Sequence, residues 1–395
     1  AHRRMSSALA NPNFEIALLG GGQLGKMFLA EALRMDVGVR ALDPDAEAPC
    51  RWGVRRFEVG DFKDYQTVLD FARGAQSAVI EIETVNVDAL AQLETEGVRC
   101  FPPSSALRII QNKGAQKDFW TQYAIPTSDF ERFESAAALK TAVAEGRWTL
   151  PFVWKIAQGG YDGFGVSVLR RPEDLEGLPD QPCVAEVLVE IAEEIGVIVA
   201  RHPDGSTAVF PPVAMEFHPV ANQVEFVVCP APLPAEVLAE AEQLALRVAT
   251  SLGIFGLLAV ELFYTRDGQW LVNEVAPRPH NSGHLSIEGC ETSQFEQLLR
   301  CATGLPLGST ALRQPTVMAN VVGAEGHLGP VAYEGLDRAL AVPGAHLHLY
   351  GKTQTRPFRK LGHWTAVGHS VDEARSRAAA ARDALTAVSA QPQKL

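Results

Sequence analysis

Residues 261–284 read ELFYTRDGQWLVNEVAPRPHNSGH, a stretch that predicts an antiparallel hairpin followed by a polar loop. The Arg-Asp-Gly run at 266–268 is typical of a turn, and the following residues 270–275 alternate as a strand does. Glu261 and Glu274 should therefore face each other across two strands. Two carboxylates at that distance repel each other, and a cation between them removes the repulsion. With Asn273 they form an oxygen-rich set that suits Mg²⁺ holding phosphates. The alternative is an acidic hairpin with one solvated glutamate on each strand.

The hairpin is followed by a cluster of polar residues that contains too much proline and glycine to be a helix or a strand. Shaped loops of this kind carry binding groups in many proteins. The polar members are Arg278, His280, Asn281, Ser282 and His284. Because the loop directly follows the two carboxylates, we interpret both as parts of one site.

The composition is that of a globular protein with two or three domains, since 47% of the 395 residues are apolar and 21% are charged. A net charge of −12 argues against partners such as nucleic acid or an acidic membrane surface. A small anionic substrate needs only a local basic pocket. The six cysteines form no C-x-x-C pair, and no stretch reads as a membrane span or a signal peptide. We therefore expect a cytoplasmic protein with reduced thiols.

The chain divides into three parts by pattern. Residues 1–104 read as β-α-β units around a parallel sheet, which is typical of a Rossmann-like α/β domain. Residues 105–310 mix hairpins with helices in an α+β pattern, and residues 311–395 form a small β-rich segment that ends in an alanine-rich helix. Predicted helices cover 26–35, 105–123, 234–252, 292–303 and 371–388.

The first of two glycine-rich turns reads GGGQLG at residues 20–25, between a predicted strand and a predicted helix. Its spacing, with Asp43 about 20 residues later, matches a dinucleotide-binding fingerprint. The same turn also serves any phosphate or carboxylate at a helix N-terminus. A nicotinamide cofactor is therefore the minor alternative.

The second turn reads GGYDGFG at residues 159–165 and lies between two predicted strands. Its glycines leave backbone N–H groups free to close over phosphate oxygens, as a glycine-rich flap does. Lys155, on the preceding strand, can place an ammonium on those phosphates. Tyr161 and Asp162 would then lie over the reacting groups, whereas a purely structural hairpin is the alternative.

These features together resemble the ATP-grasp superfamily. More closely, the sequence is similar to the N5-carboxyaminoimidazole ribonucleotide synthetase family of purine biosynthesis. The resemblance runs from about Ile16 to Gly368 and is most specific in the motifs at 273–284 and 292–297. The motifs are GGGQLG at 20–25, LDPD at 42–45, QK at 116–117, GGYDG at 159–163, NEVAPRPHNSGH at 273–284, TSQFEQ at 292–297, GLPLG at 304–308, LYGK at 349–352 and RPFRKLGH at 356–363.

The resemblance implies an ATP-grasp fold and a homodimeric ligase. Such an enzyme uses ATP, Mg²⁺ or Mn²⁺, and bicarbonate to carboxylate 5-aminoimidazole ribonucleotide. In the implied reaction, bicarbonate is phosphorylated to carboxyphosphate, and the amine of the ribonucleotide is then carboxylated. The products are N5-carboxyaminoimidazole ribonucleotide, ADP and phosphate.

The resemblance also implies a role for each matching residue. Metal binding falls to Glu261 and Glu274, and catalytic roles fall to Lys155, Arg278 and Asp162, the last as acceptor of the amine proton. The implied ATP pocket is Lys113, Lys155, Gly159, Gly160, Tyr161, Asp162, Gly163, Phe164, Gly165, Glu186, Val187, Leu188, Val189, Glu194, His218, Asn273 and Glu274. The implied ribonucleotide site is Gly22, Gln23, Leu24, Glu83, Tyr161, Asp162, Arg278, His280, Asn281, Ser282, Lys352, Arg359 and Lys360.

Four features depart from the family pattern, one of which is the segment from Lys352 to Arg359, one residue longer than usual. Phe164 stands where lysine or arginine is usual, so one cation near the substrate is missing. Lys113 replaces the usual arginine and keeps its charge but not its planar fork. EIETVN at 81–86 replaces the usual E-N-V-P. We expect Phe164 to weaken substrate binding rather than to change the reaction.

Three other functions explain parts of the sequence. Another ATP-grasp ligase, such as the formate-dependent glycinamide ribonucleotide transformylase, would share the ATP apparatus. A nicotinamide oxidoreductase explains only the first turn and Asp43, and leaves the second turn and both glutamates without a role. A nucleotide sensor that lacks turnover would rest on Phe164 and Lys113.

Overall fold

The structure is a computed structural model that describes residues 11–160, 165–218 and 223–390. The N-terminal part of the chain forms an α/β unit around a parallel sheet. Its elements are β1 (Glu15–Leu19), α1 (Gln23–Arg34), β2 (Gly38–Asp43), β3 (Arg56–Val59), α2 (Tyr65–Ala72), β4 (Ser77–Ile80), α3 (Val87–Thr95) and β5 (Arg99–Phe101). The parallel strands lie in the order β3-β2-β1-β4-β5.

The central strand of this sheet explains why the sequence folds as two helix layers around strands. β1 is apolar on both faces, as a strand between two layers must be. Leu18 packs with Phe28 of α1 on one face, whereas Leu19 packs with Val68 of α2 on the other. The predicted α/β class of this part is therefore confirmed.

A smaller antiparallel unit follows and carries the second glycine-rich turn. Its elements are α4 (Ser104–Ile110), α5 (Lys113–Gln122), β6 (Phe130–Phe133), α6 (Ala136–Ala144), β7 (Phe152–Ile156), β8 (Val166–Leu169) and β9 (Cys183–Val187). The strands lie in the order β6-β9-β7-β8, and β7 and β8 form the predicted hairpin. Its connection contains residues 161–164, which are outside the described part of the chain.

A large antiparallel sheet is built from the remaining elements. Before residue 310 these are β10 (Ile191–Arg201), β11 (Thr207–Val209), β12 (Val213–Phe217), β13 (Val224–Cys229), α7 (Ala235–Ser251), β14 (Gly256–Thr265), β15 (Trp270–Ala276), α8 (Ser286–Gly289) and α9 (Gln294–Thr303). After it come β16 (Thr316–Val322), β17 (Gly329–Glu334), α10 (Leu336–Leu340), β18 (Ala345–Leu349), β19 (Gln354–Thr355), β20 (Lys360–Val367), α11 (Val371–Ala384) and β21 (Thr386–Ser389). The sheet order is β15-β14-β10-β12-β13-β16-β20-β18, with β11 beside β10, and β19-β17-β21 form a separate small sheet.

The large sheet continues across the proposed domain boundary near residue 310, because β13 pairs with β16. The boundaries at 104 and 310 stay predictions. Within the described residues, no helix combines the length and the apolar composition that a membrane crossing requires.

The two faces of the large sheet pack against different parts of the protein. Val197 of β10 and Val260 of β14 pack with Val248 of α7 in the main core, which also includes Ala378 of α11. On the opposite face, Ile198 packs against α9 and the N-terminal unit. Further along that second face, apolar residues give way to carboxylates. This is where the predicted site lies.

Two helix predictions needed correction. The helix expected over 105–123 is interrupted, since Asn112 caps a new helix by accepting from the backbone N–H of Ala115. The alanine-rich helix ends at Ala384 rather than 388, and the β-branched and apolar residues after it form β21, which pairs with β17.

Candidate active site

Glu261 and Glu274 face each other on β14 and β15, as the sequence predicts. The register shifts directly after this pair, which makes Asn273 an extra residue in β15. Val272 and Val275 therefore both pack into the core, although they are three residues apart. Asn273 and Glu274 lie between them and point to the other face, where both contact Lys155. The bulge thus gathers two carboxylates and an amide oxygen on one face.

Among the described residues, five side chains of alternating charge run past this face. Lys117 Nζ lies 3.2 Å from Glu186 Oε1, and Lys155 Nζ lies 3.2 Å from Glu186 Oε2. Lys155 Nζ is also 3.9 Å from Glu274 Oε1, which in turn lies 2.5 Å from Lys113 Nζ. Three ammonium groups thus lie against two carboxylates in this row of side chains.

Burial and pairing together set the ionisation of this chain of charges. Burial alone would raise the pKa of Glu274, but the charges of Lys113 and Lys155 outweigh it and lower that pKa to about 2. Burial has the largest effect on Lys117 and lowers its pKa to about 8, although the negative charge of Glu186 acts in the opposite direction. Burial also opposes charge on Lys155, yet Glu186 and Glu274 raise its pKa above the usual value. Lys155 therefore stays cationic at neutral pH.

A third carboxylate borders the acid pair. Glu194 lies on β10 two residues before Gly196, the register partner of Glu261, so both carboxylates share a face. Burial raises the pKa of Glu194 to about 7, and the charge of Glu261 adds to the shift. A half-buried group with this pKa can donate as well as accept a hydrogen bond near neutral pH.

The polar loop after β15 reaches the acid pair through His280. Its Nε2 lies 3.2 Å from Glu261 Oε1, and its Nδ1 lies 2.9 Å from Ser282 Oγ. Arg278 reaches in the other direction, with Nε 2.8 Å from Glu83 Oε1 in the N-terminal unit. The structure therefore brings Arg278, His280, Ser282 and Glu83 together, as their assignment to one site requires.

The two remaining members of the polar loop, Asn281 and His284, also have partners within the protein. The side-chain amides of Asn281 and Asn320 pair with each other, with N···O distances of 3.0 and 3.1 Å. His284 is fully buried, and burial, followed by the charges of His280 and Lys360, holds its pKa well below the usual value. The contact of Asn281 with substrate stays a prediction.

The predicted phosphate cations lie in the C-terminal part. Lys352 Nζ donates to the backbone oxygen of Lys360 at 2.7 Å, and Arg359 Nη1 donates to the Gln354 oxygen at 2.8 Å. Burial, and then the charge of Arg356, lowers the pKa of Arg359. Because like charges crowd here, an anion between them would relieve their repulsion.

Sequence reasoning missed the residue that occupies the first glycine-rich turn. Glu81, at the end of β4, accepts from the Gly22 N–H at 2.6 Å and from the Leu24 N–H at 3.1 Å. Asp43 accepts from the Gly21 N–H at 2.7 Å. The chain's own carboxylates thus take the N–H groups that a dinucleotide phosphate would need. The signal was available, because parallel neighbours β1 and β4 end at the same sheet edge.

The other residues that the resemblance implies lie on several different elements. Gly159, Gly160 and Gly165 border the second turn, whereas the assigned residues Tyr161, Asp162, Gly163 and Phe164 lie outside the described part of the chain. Val187, Leu188 and Val189 follow Glu186, and Val187 is 48% exposed. His218 follows β12, with its ring centroid 6.1 Å from that of Phe358. Gln23 begins α1 beside the turn filled by Glu81.

The residues of the acid pair fit a hard divalent cation. Glu261, Glu274 and Asn273 offer oxygen donors, the ligands that Mg²⁺ and Mn²⁺ prefer. Within the part of the chain that the structure describes, no three His, Cys, Asp or Glu side chains converge closely enough to enclose a metal ion. An ion held here would therefore need further oxygens from a ligand such as a nucleotide phosphate.

Comparison with known families agrees with this geometry. Residues 14–111 match the ribonucleotide synthetase preATP-grasp domain, residues 118–295 match the ATP-grasp domain, and residues 316–377 match the phosphoribosylaminoimidazole carboxylase C-terminal domain. The predicted ATP-grasp fold is thereby confirmed.

Two curated relatives span most of the chain. The N5-carboxyaminoimidazole ribonucleotide synthase of Bacillus subtilis is 35% identical, over 93% of this chain and 95% of its own. The chloroplastic phosphoribosylaminoimidazole carboxylase of Vigna aconitifolia is 37% identical over 92% of this chain, which spans 66% of that longer protein.

Two solved structures are similar over nearly their whole length. N5-carboxyaminoimidazole ribonucleotide synthetase from Thermotoga maritima is 38% identical, with a TM-score of 0.86 over 95% of this chain and 99% of that chain. The enzyme from Aspergillus clavatus, in complex with ADP and 5-aminoimidazole ribonucleotide, is 30% identical, with a TM-score of 0.83 over 94% and 98%. The chain therefore belongs to the N5-carboxyaminoimidazole ribonucleotide synthetase family.

Proposed function

We propose that this protein catalyses the ATP-dependent carboxylation of 5-aminoimidazole ribonucleotide by bicarbonate, in purine biosynthesis. The observation that carries the proposal is the bulged acid pair Glu261 and Glu274, which lies between a chain of buried lysines and the Arg278–His280 loop. The groups that we assign to the phosphates and those that we assign to the substrate would thus meet at this pair. A ligase that passes an activated carboxyl group between two substrates needs this arrangement.

The nucleotide end of the site would hold the phosphates of ATP. Lys155 and Lys113 supply positive charge, and Glu261, Glu274 and Asn273 would hold Mg²⁺. When bound, the ion supplies charge neutralisation to the phosphate oxygens. Lys155 stays cationic because Glu186 and Glu274 raise its pKa. Glu186 has both oxygens engaged by lysines, so we assign it to holding Lys155 rather than to binding ribose hydroxyls.

The ribonucleotide end would lie against the polar loop. His280 contacts Glu261, beside which the reacting amine would approach, and Arg278 pairs with Glu83 of the N-terminal unit. The cations Lys352, Arg359 and Lys360 suit the 5′-phosphate of the ribonucleotide. The assignments of these residues, and of Asp162 as acceptor of the amine proton, rest on the family motif and on this placement.

The proposed reaction has two steps. A bicarbonate oxygen attacks the γ-phosphorus of ATP, the bond to the ADP oxygen breaks, and carboxyphosphate forms. The amine nitrogen then attacks the carboxyl carbon, phosphate leaves, and the amine proton passes to Asp162. Water would hydrolyse the mixed anhydride, and the family motif assigns the glycine-rich turn between β7 and β8 to covering it.

We further propose a cytoplasmic homodimer that binds neither nucleic acid nor a membrane. The net charge of −12 supports the absence of polyanionic partners, and all six cysteines are buried as free thiols. The dimer rests on the family resemblance alone. Sedimentation analysis would measure its mass directly.

The deciding experiment is a coupled assay of ADP formation with 5-aminoimidazole ribonucleotide, bicarbonate and Mg²⁺, each omitted in turn. We expect turnover only when all are present. Formate with glycinamide ribonucleotide replaces the two substrates in a parallel assay, and activity there instead would identify the transformylase. ADP formation that ignores bicarbonate would refute the proposed reaction.

A further inference from the structure

The motif TSQFEQ at 292–297 has no role in the reaction described above, yet it contains two completely buried glutamines. Gln294 and Gln297 lie one turn apart near the start of α9, and neither side chain is exposed to solvent. An amide that is removed from water is costly unless all its polar atoms find partners. The partners of these two amides therefore show what the motif is for.

Gln294 clasps the backbone of His280 from both sides. Its Oε1 accepts from the His280 N–H at 2.9 Å, and its Nε2 donates to the His280 carbonyl oxygen at 2.8 Å. The same Nε2 lies 3.1 Å from Nδ1 of buried His284. One planar amide thus pairs with both backbone groups of His280, as a neighbouring strand would, and fixes the peptide planes on either side.

The ring of His280 extends this restraint to the acid pair. Its Nε2 lies 3.2 Å from Glu261 Oε1, and its Nδ1 lies 2.9 Å from Ser282 Oγ. Because the side chain turns with its backbone, a small rotation at His280 would move the ring away from Glu261. The orientation of Glu261 therefore depends on a residue that does not touch it.

The helix that carries Gln294 is well anchored. Ser293 caps it by accepting from the Glu296 N–H at 3.0 Å, and the Gln294 N–H donates to Ser286 Oγ at 2.9 Å. Phe295 is fully buried in the core shared with the N-terminal unit. Gly283 leaves room for the amide, since a Cβ there would lie 2.4 Å from Gln294 Oε1.

We infer that Gln294 is a positioning residue for the ligase reaction: it holds the His280 backbone so that the imidazole keeps Glu261 opposite Glu274. This inference rests on the proposed function for its catalytic consequence. Its structural part, the control of the His280 ring by Gln294, can be tested without any turnover.

The chain offers a matched control in Gln297. Its Oε1 accepts from the Gly308 N–H at 2.9 Å, and its Nε2 donates to the Gly308 carbonyl oxygen at 2.5 Å. The clasp is the same and the burial is the same, but Gly308 lies in the loop after α9 and carries none of the assigned site residues. Loss of this clasp should affect folding alone.

The test compares Gln294→Met with Gln297→Met, because methionine keeps the unbranched shape and removes the hydrogen bonds. We expect kcat of Gln294→Met to fall at least about tenfold, with kcat of Gln297→Met within about twofold of the wild type. Both should lose similar thermal stability. Equal kcat losses in the two variants would overturn the inference.

An activity-independent readout is the set of imidazole NMR signals of histidine-labelled protein, with those of His280 assigned by their loss in His280→Gln. We expect the His280 ring signals to shift in Gln294→Met and to stay in place in Gln297→Met. Unshifted signals in Gln294→Met would overturn the inference even if kcat falls. A wild-type protein without bicarbonate-dependent turnover would instead refute the proposed function and leave this comparison valid.

Gln294→Glu provides a second variant if the methionine variant does not fold. An ionised glutamate still accepts from the His280 N–H but repels the His280 carbonyl, whereas a protonated one can donate to it. Burial raises the pKa of such a carboxyl group, so we expect the deficit in kcat relative to wild type to shrink between about pH 8 and about pH 6. A deficit that does not change with pH would count against the proposed clasp.

Discussion

The two glycine-rich turns of this protein have similar compositions and opposite surroundings. In the first turn, Glu81 and Asp43 accept from the backbone N–H groups of Gly21, Gly22 and Leu24. That turn joins a strand to a helix, where N–H groups converge at the positive end of the helix. It is filled by carboxylates that belong to the protein.

The second turn joins two antiparallel strands and has no helix behind it. Among the described residues, no carboxylate accepts from the backbone N–H groups of Gly159, Gly160 or Gly165, and Lys155 lies on the strand before them. The first turn is therefore occupied by the protein's own acids, and the assignment of Gly22, Gln23 and Leu24 to the ribonucleotide site stays a prediction. The second turn is suited to an external anion. Glycine content alone does not distinguish the two, because the outcome depends on which acids the fold brings near.

The largest test of this contrast is Glu274→Gln. The variant removes the charge that Lys113 and Lys155 share, together with one of the two proposed metal carboxylates. We expect bicarbonate-dependent ADP formation to fall at least about 10²-fold. Exposed Glu240 on α7 provides the control Glu240→Gln, which should retain the wild-type rate. Equal rates for both variants would exclude the acid pair from the reaction.

The next test opens the first turn. Glu81→Ala should lower the free energy of unfolding by about 1–3 kcal/mol, because two backbone N–H groups lose their acceptor. Inorganic phosphate should restore part of this loss in the variant, since an anion can take the vacated position. Urea unfolding with and without phosphate measures both effects. Equal stabilisation of the wild type by phosphate would show that Glu81 does not occupy the turn.

Gly22→Ala changes the same turn by displacing Glu81 instead of removing it. A Cβ at this position would lie 2.4 Å from Glu81 Oε1, so the carboxylate must move. The loss of stability should resemble that of Glu81→Ala and should not add to it in the double variant. Fully additive losses would contradict a shared cause.

A pH titration examines the acids around Glu261. Burial, and then Glu261, raises the pKa of Glu194 from 4.5 to about 7. The folded state therefore holds this proton more tightly than the unfolded state, and stability falls as pH rises from about 4.5 to about 7. Relative to Glu194→Gln, the free energy of unfolding of the wild type should fall by on the order of 1–2 kcal/mol over that range, after allowance for partial exposure. Parallel stability curves would argue against the shift.

The smallest effect is expected for Gly159→Ala in the second turn. Gly159 has φ +81°, but an added Cβ would meet no atom of the described residues within 4 Å. The cost should therefore be only that of a left-handed alanine, about 1 kcal/mol. Urea unfolding beside Gly22→Ala compares the two turns directly. A larger loss at Gly159 than at Gly22 would reverse the contrast between them.

Much of the site could be predicted because its signals are local. The turn residues at 266–268 and the alternation at 270–275 predict the hairpin, which places Glu261 opposite Glu274, as the structure confirms. The bulge at Asn273 could not be predicted in this way, because an extra residue breaks the period that the prediction uses. The bulge nevertheless adds the amide oxygen to the acid pair.

Other parts of the site required the fold itself. Glu81 is 59 residues away in the sequence from Gly22, whose N–H donates a hydrogen bond to it. Glu186 is 58 residues away from Ser128, whose hydroxyl donates a hydrogen bond to it. The Gln294 clasp on His280 spans 14 residues through an irregular loop. The periodicity of the sequence does not predict contacts of this kind, since they depend on the order of strands and on the path of loops.

The sequence by itself determined the opposed carboxylates, the lysine before the second glycine-rich turn and the family to which the chain belongs. These properties follow from residue spacing within single strands, turns and motifs. Only the tertiary structure decided that Glu81 fills the first turn, that Lys117 and Lys155 share Glu186, and that Gln294 holds His280. The physical reason is that a buried polar atom takes the partner that the packed chain brings within reach, and that partner is set by topology rather than by neighbouring residues.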